Sequence, residues 1–123
     1  MSWKDDTKEK LTVGILELLI LKLLSFEDMY GYQIMQEIQT KSKGKLIIKE
    51  GSLYGPLYRM EQRGYLSTRK ELVGKKRFRV YYHLEDLGKE YIEFTKSLLD
   101  EMIEGVNYVF EEGKDEKWIK ELL

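Results

Sequence analysis

Hydrophobic and polar positions along this chain change period several times, and each change predicts an element. In "KEKLTVGILELLILKLL" (8–24) the apolar residues surround most of a helical circumference, which predicts a largely buried first helix over 7–24 with Thr7 as its N-cap. Ser25 to Gly31 reads as a connection. The helical period resumes from Gly31 to Thr40, with Ile34, Met35 and Ile38 turned inward, and Ser42-Lys43-Gly44 ends it with Gly44 as the candidate C-terminal cap. "KLIIKE" (45–50) is too short for a helix and predicts a brief strand or an extended link.

"EGSLYGPLYRMEQRG" (50–64) predicts a third helix, with Leu53, Leu57 and Met60 on one stripe. Gly55-Pro56 interrupts it. A proline inside a helix removes a donor and crowds the carbonyl four residues back, so the pattern predicts an N-cap at Ser52 or a helix opening late, near Tyr54. The outer half carries Gly55, Tyr58, Arg59 and Gln62, with Ser52 and Arg63 at its margin, and no acid, whereas Glu61 turns to the inward margin. Beyond it, "YLSTRKELVGKKRFRVYYHL" (65–84) alternates with period two on either side of Val73-Gly74-Lys75-Lys76, which predicts a two-stranded hairpin with a basic tip. Tyr81 and Tyr82 are expected to close the core beneath it, and His83 to make a local hydrogen bond. From Glu85 to Phe110 the helical period returns for about 26 residues, or about 39 Å. Leu87, Tyr91, Phe94, Leu98, Met102, Val106 and Val109 form one apolar stripe, and Ile92, Leu99, Ile103 and Phe110 a second beside it. Two stripes on so long a helix predict contact both with its own domain and with a partner subunit. "DEKWIKELL" (115–123) predicts a final helical turn or two.

Composition narrows the chemistry. At 123 residues, 42% hydrophobic and 35% charged, the chain suits one globular core. It has no cysteine and one histidine, which excludes disulfides, thiolate metal sites and any site needing two histidines; a reducing cytoplasm is compatible. The apolar run 13–24 is too short to span a membrane and carries Glu17 and Lys22. No nucleophile stands in a motif and no glycine-rich phosphate loop appears, so neither enzyme chemistry nor a cofactor is expected. Net charge is −1, but its distribution is uneven. Residues 41–83 hold 12 basic and 3 acidic side chains (+9), against 4 and 7 (−3) before them and 5 and 12 (−7) after. A basic middle between acidic flanks is what a polyanion-binding face on an otherwise repelling body looks like.

Helix, helix, helix, basic hairpin is the order of a winged helix-turn-helix, whose third helix enters the DNA major groove while the wing reaches the flanking backbone. The fold expected is therefore mainly α with a small β-hairpin, a DNA-binding domain over 1–84 followed by a helical dimerisation region over 85–123. Arg59 and Gln62 have the bidentate geometry used on guanine and adenine edges. Tyr58 and Ser52 suit phosphates, and Lys49, Arg63, Lys70, Lys75, Lys76 and Arg77 supply positive charge around them. Gly55 removes a side chain where the backbone would approach DNA.

These residues also resemble the PadR family of bacterial transcriptional regulators, over about Thr12 to Val109. The resemblance is carried by "GILELLILKLL" (14–24), "GYQIMQEI" (31–38), "EGSLYGPLYRMEQRGYL" (50–66) and "RVYYHLEDLGKEYI" (79–92). It implies a homodimer, paired through the long helix, that binds an inverted-repeat operator in double-stranded DNA as a cytoplasmic repressor released by a small molecule. Tyr32 matches the tyrosine opening the second helix, Gly51 to Tyr54 the start of the recognition helix, and Tyr58 and Arg59 its DNA-facing middle. A small aromatic effector between the subunits is a further implication; Leu98-Leu99 stands where some short members carry a tryptophan, and the tryptophans here are Trp3 and Trp118. The alternative from another class is a winged-helix protein-interaction module whose basic wing meets an acidic partner.

Overall fold

A computed structural model of the chain describes residues 3–111 and 121–122. Four helices and three strands follow in the order α1 (Trp3–Leu24), β1 (Met29–Tyr30), α2 (Gly31–Lys41), α3 (Glu50–Gln62), β2 (Leu66–Val73), β3 (Arg77–Leu84) and α4 (Asp86–Phe110). The chain forms two compact units, Met1–Glu93 and Phe94–Leu123. The terminal turns expected over 115–123 lie, apart from helical Glu121 and Leu122, outside the described residues, as does Trp118. Among the described residues no helix is long and apolar enough to cross a membrane.

The core of the first unit is built from one face of each element. Leu16, Ile20 and Leu21 of α1, Ile34 and Ile38 of α2, and Leu53, Leu57 and Met60 of α3 close on Met29, Leu66, Tyr82 and Leu84 of the sheet. α1 begins at Trp3, four residues before the expected cap at Thr7, because neither glycine nor proline in 3–7 breaks the helix. The end of α2 is also displaced from expectation. Lys43, at φ 57°, takes the left-handed position after the helix, and Gly44 follows it at φ 77°. Lys43 N–H donates to Thr40 O at 3.0 Å and Gly44 N–H to Gln39 O at 2.8 Å, the paired bonds of a Schellman ending. The capping position is thus held by a lysine.

α3 opens early rather than late. Lys49, extended at φ −77° and ψ 143°, is its N-cap, and Ser52 N–H already donates back to Lys49 O at 2.9 Å. Pro56 is therefore an interior residue of the helix, with no N–H to give to the carbonyl of Ser52. It is buried with Leu53, Leu57 and Met60, so ring burial offsets a lost donor. The helix ends at the left-handed Gly64 (φ 79°), with Tyr65 N–H reaching back to Met60 O at 3.0 Å.

The sheet has the antiparallel order β1-β3-β2. β1 lies within the segment expected to be a connection; two residues are too few to show a period, and only pairing with β3 (Met29 with Tyr82, Tyr30 with Tyr81) makes them a strand. The β2–β3 hairpin runs in register from Leu66–Leu84 out to Val73–Arg77, turning through Gly74 at φ 75°. Leu66, Tyr82 and Leu84 are buried at its base, whereas Leu72, Phe78 and Val80 farther out are exposed, because the wing projects beyond the core. Tyr82 closes the core as expected. Tyr81 does not: successive strand residues face opposite ways, and Tyr81 lies edge-on to Tyr30 with centroids 5.5 Å apart.

The opening turns of α4 belong to the first unit. Tyr91 and Ile92 pack against its core, the rings of Tyr91 and Tyr65 stack at 4.4 Å, and Gly88 is buried. Glu85 immediately precedes the helix; its backbone N–H donates to Tyr65 O at 3.0 Å, and its carboxylate accepts from Ser67 Oγ at 2.5 Å. In the second unit the apolar positions have no cover among the described residues. Phe94, Leu98, Met102, Ile103, Val106, Val109 and Phe110 are exposed and Leu99 is half-buried, while the polar side carries the Lys96–Asp100 ion pair at 2.6 Å and a Tyr108–Glu104 hydrogen bond at 2.7 Å.

Candidate nucleic-acid interface

The outer face of α3 is framed by three contacts, one to each neighbouring element. Toward α2, the ring of Tyr54 lies over Gly31, and a methyl group there would stand 2.9 Å from Tyr54 Oη. A larger residue there would displace the Tyr54 ring from this contact. Tyr54 is thus a half-covered contact between helices. Toward the wing, Thr68 Oγ1 donates to Glu61 Oε1 at 3.2 Å. Toward α1, Glu17 faces two arginines, with Oε1 3.6 Å from Arg59 Nε and Oε2 3.6 Å from Arg63 Nη1.

Between these margins Gly55, Tyr58 and Gln62 lie within about 60° of one another on the helix and face away from the core. All three are exposed, Tyr58 at 64%. No acid stands on that face; Glu61 is drawn to the wing and Glu17 to the opposite flank. Gly55 has a second role that its sequence position did not disclose. A Cβ there would lie 3.3 Å from Arg59 Nη1, so the missing side chain makes room for the arginine head, which folds back along the helix.

The remaining residues expected at the interface lie on other parts of the same unit. Tyr32 is exposed in the first turn of α2, Lys49 stands at the N-cap of α3, and Ser52 is half-buried in its first turn. Lys70 is exposed on β2, Lys75 and Lys76 at the wing turn, and Arg77 at the start of β3. These side chains bring a polar, acid-free helix face and a row of cations into one unit. Such a surface can donate hydrogen bonds to base edges and neutralise phosphates.

The wing is tied to the body by a polar cluster of which only a hydrogen bond of His83 was expected. Asp28, just before β1, accepts a hydrogen bond from Arg69 of β2 and lies 2.7 Å through Oδ1 from His83 Nδ1 of β3. A carboxylate only accepts, so His83 carries its proton on Nδ1. Partial burial disfavours the charged form of Asp28, but the hydrogen bonds from His83 and Arg69 outweigh it and hold the carboxyl below the usual carboxylate value. Arg69 also donates through Nε to Glu71 at 2.9 Å and lies over the Tyr81 ring, and Arg79 lies 4.2 Å from the centroid of Tyr30. The expected hydrogen bond of His83 therefore exists, but across 55 residues of chain rather than locally. Burial also pushes the Tyr82 hydroxyl up, with smaller contributions from Tyr54 and Glu61.

Comparison with known proteins agrees with this architecture. Residues 20–94 match the model of the PadR-like transcriptional regulator family. An uncharacterised protein X of Lysinibacillus sphaericus is 32% identical over 100 residues, covering 76% of this chain and 92% of its own. The transcriptional regulator YqjI of Escherichia coli is 30% identical over 91 residues, 74% of this chain but only 42% of that longer protein. Among solved structures, a transcriptional regulator from Clostridium thermocellum superimposes with a TM-score of 0.77 at 27% identity, covering 83% of this chain and 99% of the other. Bacillus subtilis PadR in complex with operator DNA superimposes with a TM-score of 0.61 at 25% identity, over 64% of this chain and 45% of the other. With its winged helix and the family match extending from α1 into α4, the chain belongs to the PadR-like family of transcriptional regulators.

Proposed function

We infer that this regulator is a homodimeric repressor that reads an inverted-repeat operator in double-stranded DNA and is released by a small molecule. The observation that carries the DNA-reading part is the exposed, acid-free face of α3 framed by a cationic wing. The operator complex of Bacillus subtilis PadR supports the same use of this fold. Residues 1–84 would bind DNA. Arg59 and Gln62 would read base edges; Tyr32, Ser52, Tyr54 and Tyr58 would position the backbone; and Lys49, Arg63, Lys70, Lys75, Lys76 and Arg77 would neutralise phosphates. Residues 85–123 would pair two subunits through Leu87, Tyr91, Phe94, Leu98, Leu99, Met102, Val106 and Val109. Most of these are exposed, and a continuous apolar stripe of that length is costly to leave in water. Tyr91 would contribute mainly through its edge, since its ring face is stacked on Tyr65. A small aromatic effector would lie between the two long helices, against residues such as Phe94 and Leu98.

The test is selection of duplexes from a random-sequence library by the wild-type protein. An enriched inverted repeat, bound about 1,000-fold or more tightly than shuffled DNA at physiological salt, is the expected result. Arg59→Ala should then lose about 1–3 kcal/mol of discrimination at one base pair of each half-site. Lys76→Ala should weaken binding to all sequences alike and lower the salt slope by about one. Failure to enrich any sequence would remove the operator reading.

A further inference from the structure

Glu17 is the one acid in the apolar run of α1 from Val13 to Leu24, and it stands beside the face that is to meet polyanion. Its side chain is 22% exposed, whereas those of Arg59 and Arg63 are each 52% exposed. Each carboxylate oxygen faces a different arginine, so Glu17 bridges Arg59 of α3 and Arg63 at its C-cap. The contact engages Arg59 through Nε. Nη1, one of the terminal donors that bind a guanine edge or a phosphate, instead lies beside Gly55, 3.3 Å from where a Cβ there would stand.

We propose that Glu17 is a positioning residue of the DNA interface, which with Gly55 holds the Arg59 head in a base-reading orientation before DNA arrives. This rests on the reading of α3 as the DNA-reading helix. A long, rotamer-rich arginine loses freedom on docking, and one already held loses less, so the bridge raises affinity for the correct sequence. The same carboxylate repels phosphate, so it lowers affinity for every sequence. Glu17 therefore separates specific from non-specific binding in opposite directions, which a residue that merely stabilised the fold would not do.

The experiment measures the wild-type protein, Glu17→Gln, Arg59→Ala and the double variant on the duplex enriched by the wild type and on a shuffled duplex, across a salt series. Circular dichroism melts accompany each protein. Glu17→Gln should lose about tenfold in the ratio of specific to shuffled affinity, at the same base pair that Arg59→Ala relaxes, while binding shuffled DNA as tightly or more tightly. In the Arg59→Ala background the Glu17 change should leave the ratio unaltered. Gly55→Ala supplies a second approach that leaves Glu17 in place. Its methyl would stand 3.3 Å from Nη1, a tight contact that shifts the arginine head by a few tenths of an ångström, so it should relax the same base pair by less than Glu17→Gln does. An unchanged or increased ratio in Glu17→Gln would overturn the proposal, the increase meaning that Glu17 restrains Arg59 from DNA. An equal loss with and without Arg59 would also overturn it, since Glu17 would then act through the fold. A wild-type protein that enriches no sequence would overturn the DNA-reading function itself, and this inference with it.

Discussion

Gly88 and Gly105 are both glycines of α4, and the same substitution at each should move stability in opposite directions. A Cβ built at Gly88 would stand 2.2 Å from the carbonyl oxygen of Tyr65 and 2.6 Å from Leu84 Cδ1. The first is a backbone atom in use, accepting from Glu85 N–H at 3.0 Å, so it cannot rotate away as a side chain could. Relief requires the opening turn of α4 to lift from the base of the wing, loosening the Tyr65–Tyr91 stack. Overpacking of this kind costs about 1–3 kcal/mol, and backbone overlap places Gly88→Ala at the upper end. Alanine returns about 1 kcal/mol of helix propensity, leaving a net loss of about 2 kcal/mol. For a domain of this size that lowers Tm by about 8 °C. At Gly105 nothing of the same chain lies within 4 Å, so in the monomeric Leu98→Asp, Met102→Asp background Gly105→Ala keeps the propensity gain and should raise Tm by a few degrees, on the order of 4 °C. Calorimetry or a circular dichroism melt at matched protein concentration measures both. A Gly88→Ala protein melting at or above the wild-type temperature would refute the packing of α4 on the wing base.

Aspartates at Leu98 and Met102 should convert a dimer to monomers in sedimentation velocity while leaving the first unit folded; a surviving dimer would remove the long helix from the interface. Lys43→Gly should stabilise by about 0.5–1 kcal/mol, because a left-handed non-glycine costs about 1–2 kcal/mol and the more flexible unfolded chain takes back part of the gain; urea titration measures it. Asp28 has a lowered folded pKa, so its contribution is complete above the ordinary value of 3.8 and is lost as pH falls through the lower folded value. Asp28→Asn should therefore reduce stability at neutral pH and flatten the decline below about pH 4, and an unaltered acid limb in chemical denaturation would count against the cluster.

Elements with a long, strong period were legible in the chain itself. α2, the hairpin and α4 lie within a residue or two of expectation, since a buried stripe demands apolar residues at fixed spacing whatever surrounds it. The composition of the α3 outer face was legible for the same reason, as the helical period alone decides which side chains leave the core. The ends of elements were less so. α3 opens at Glu50 because the ring of Pro56 finds a place in the core, and α2 closes on Lys43 although Gly44 is the better intrinsic choice.

The chain by itself determined the family architecture, the apolar faces and the uneven charge, because each follows from residue type and spacing along one element. Tertiary structure alone decided which elements share a polar contact. Glu17 and Arg59 are 42 positions apart and Asp28 and His83 are 55 apart, and no local period connects such pairs. β1 exists because β3 offers it hydrogen bonds, Tyr81 and Tyr82 part company because strand residues alternate, and Gly55 leaves room for an arginine head. Each is a relation between surfaces brought together by burying the core, so it exists only once that core has formed.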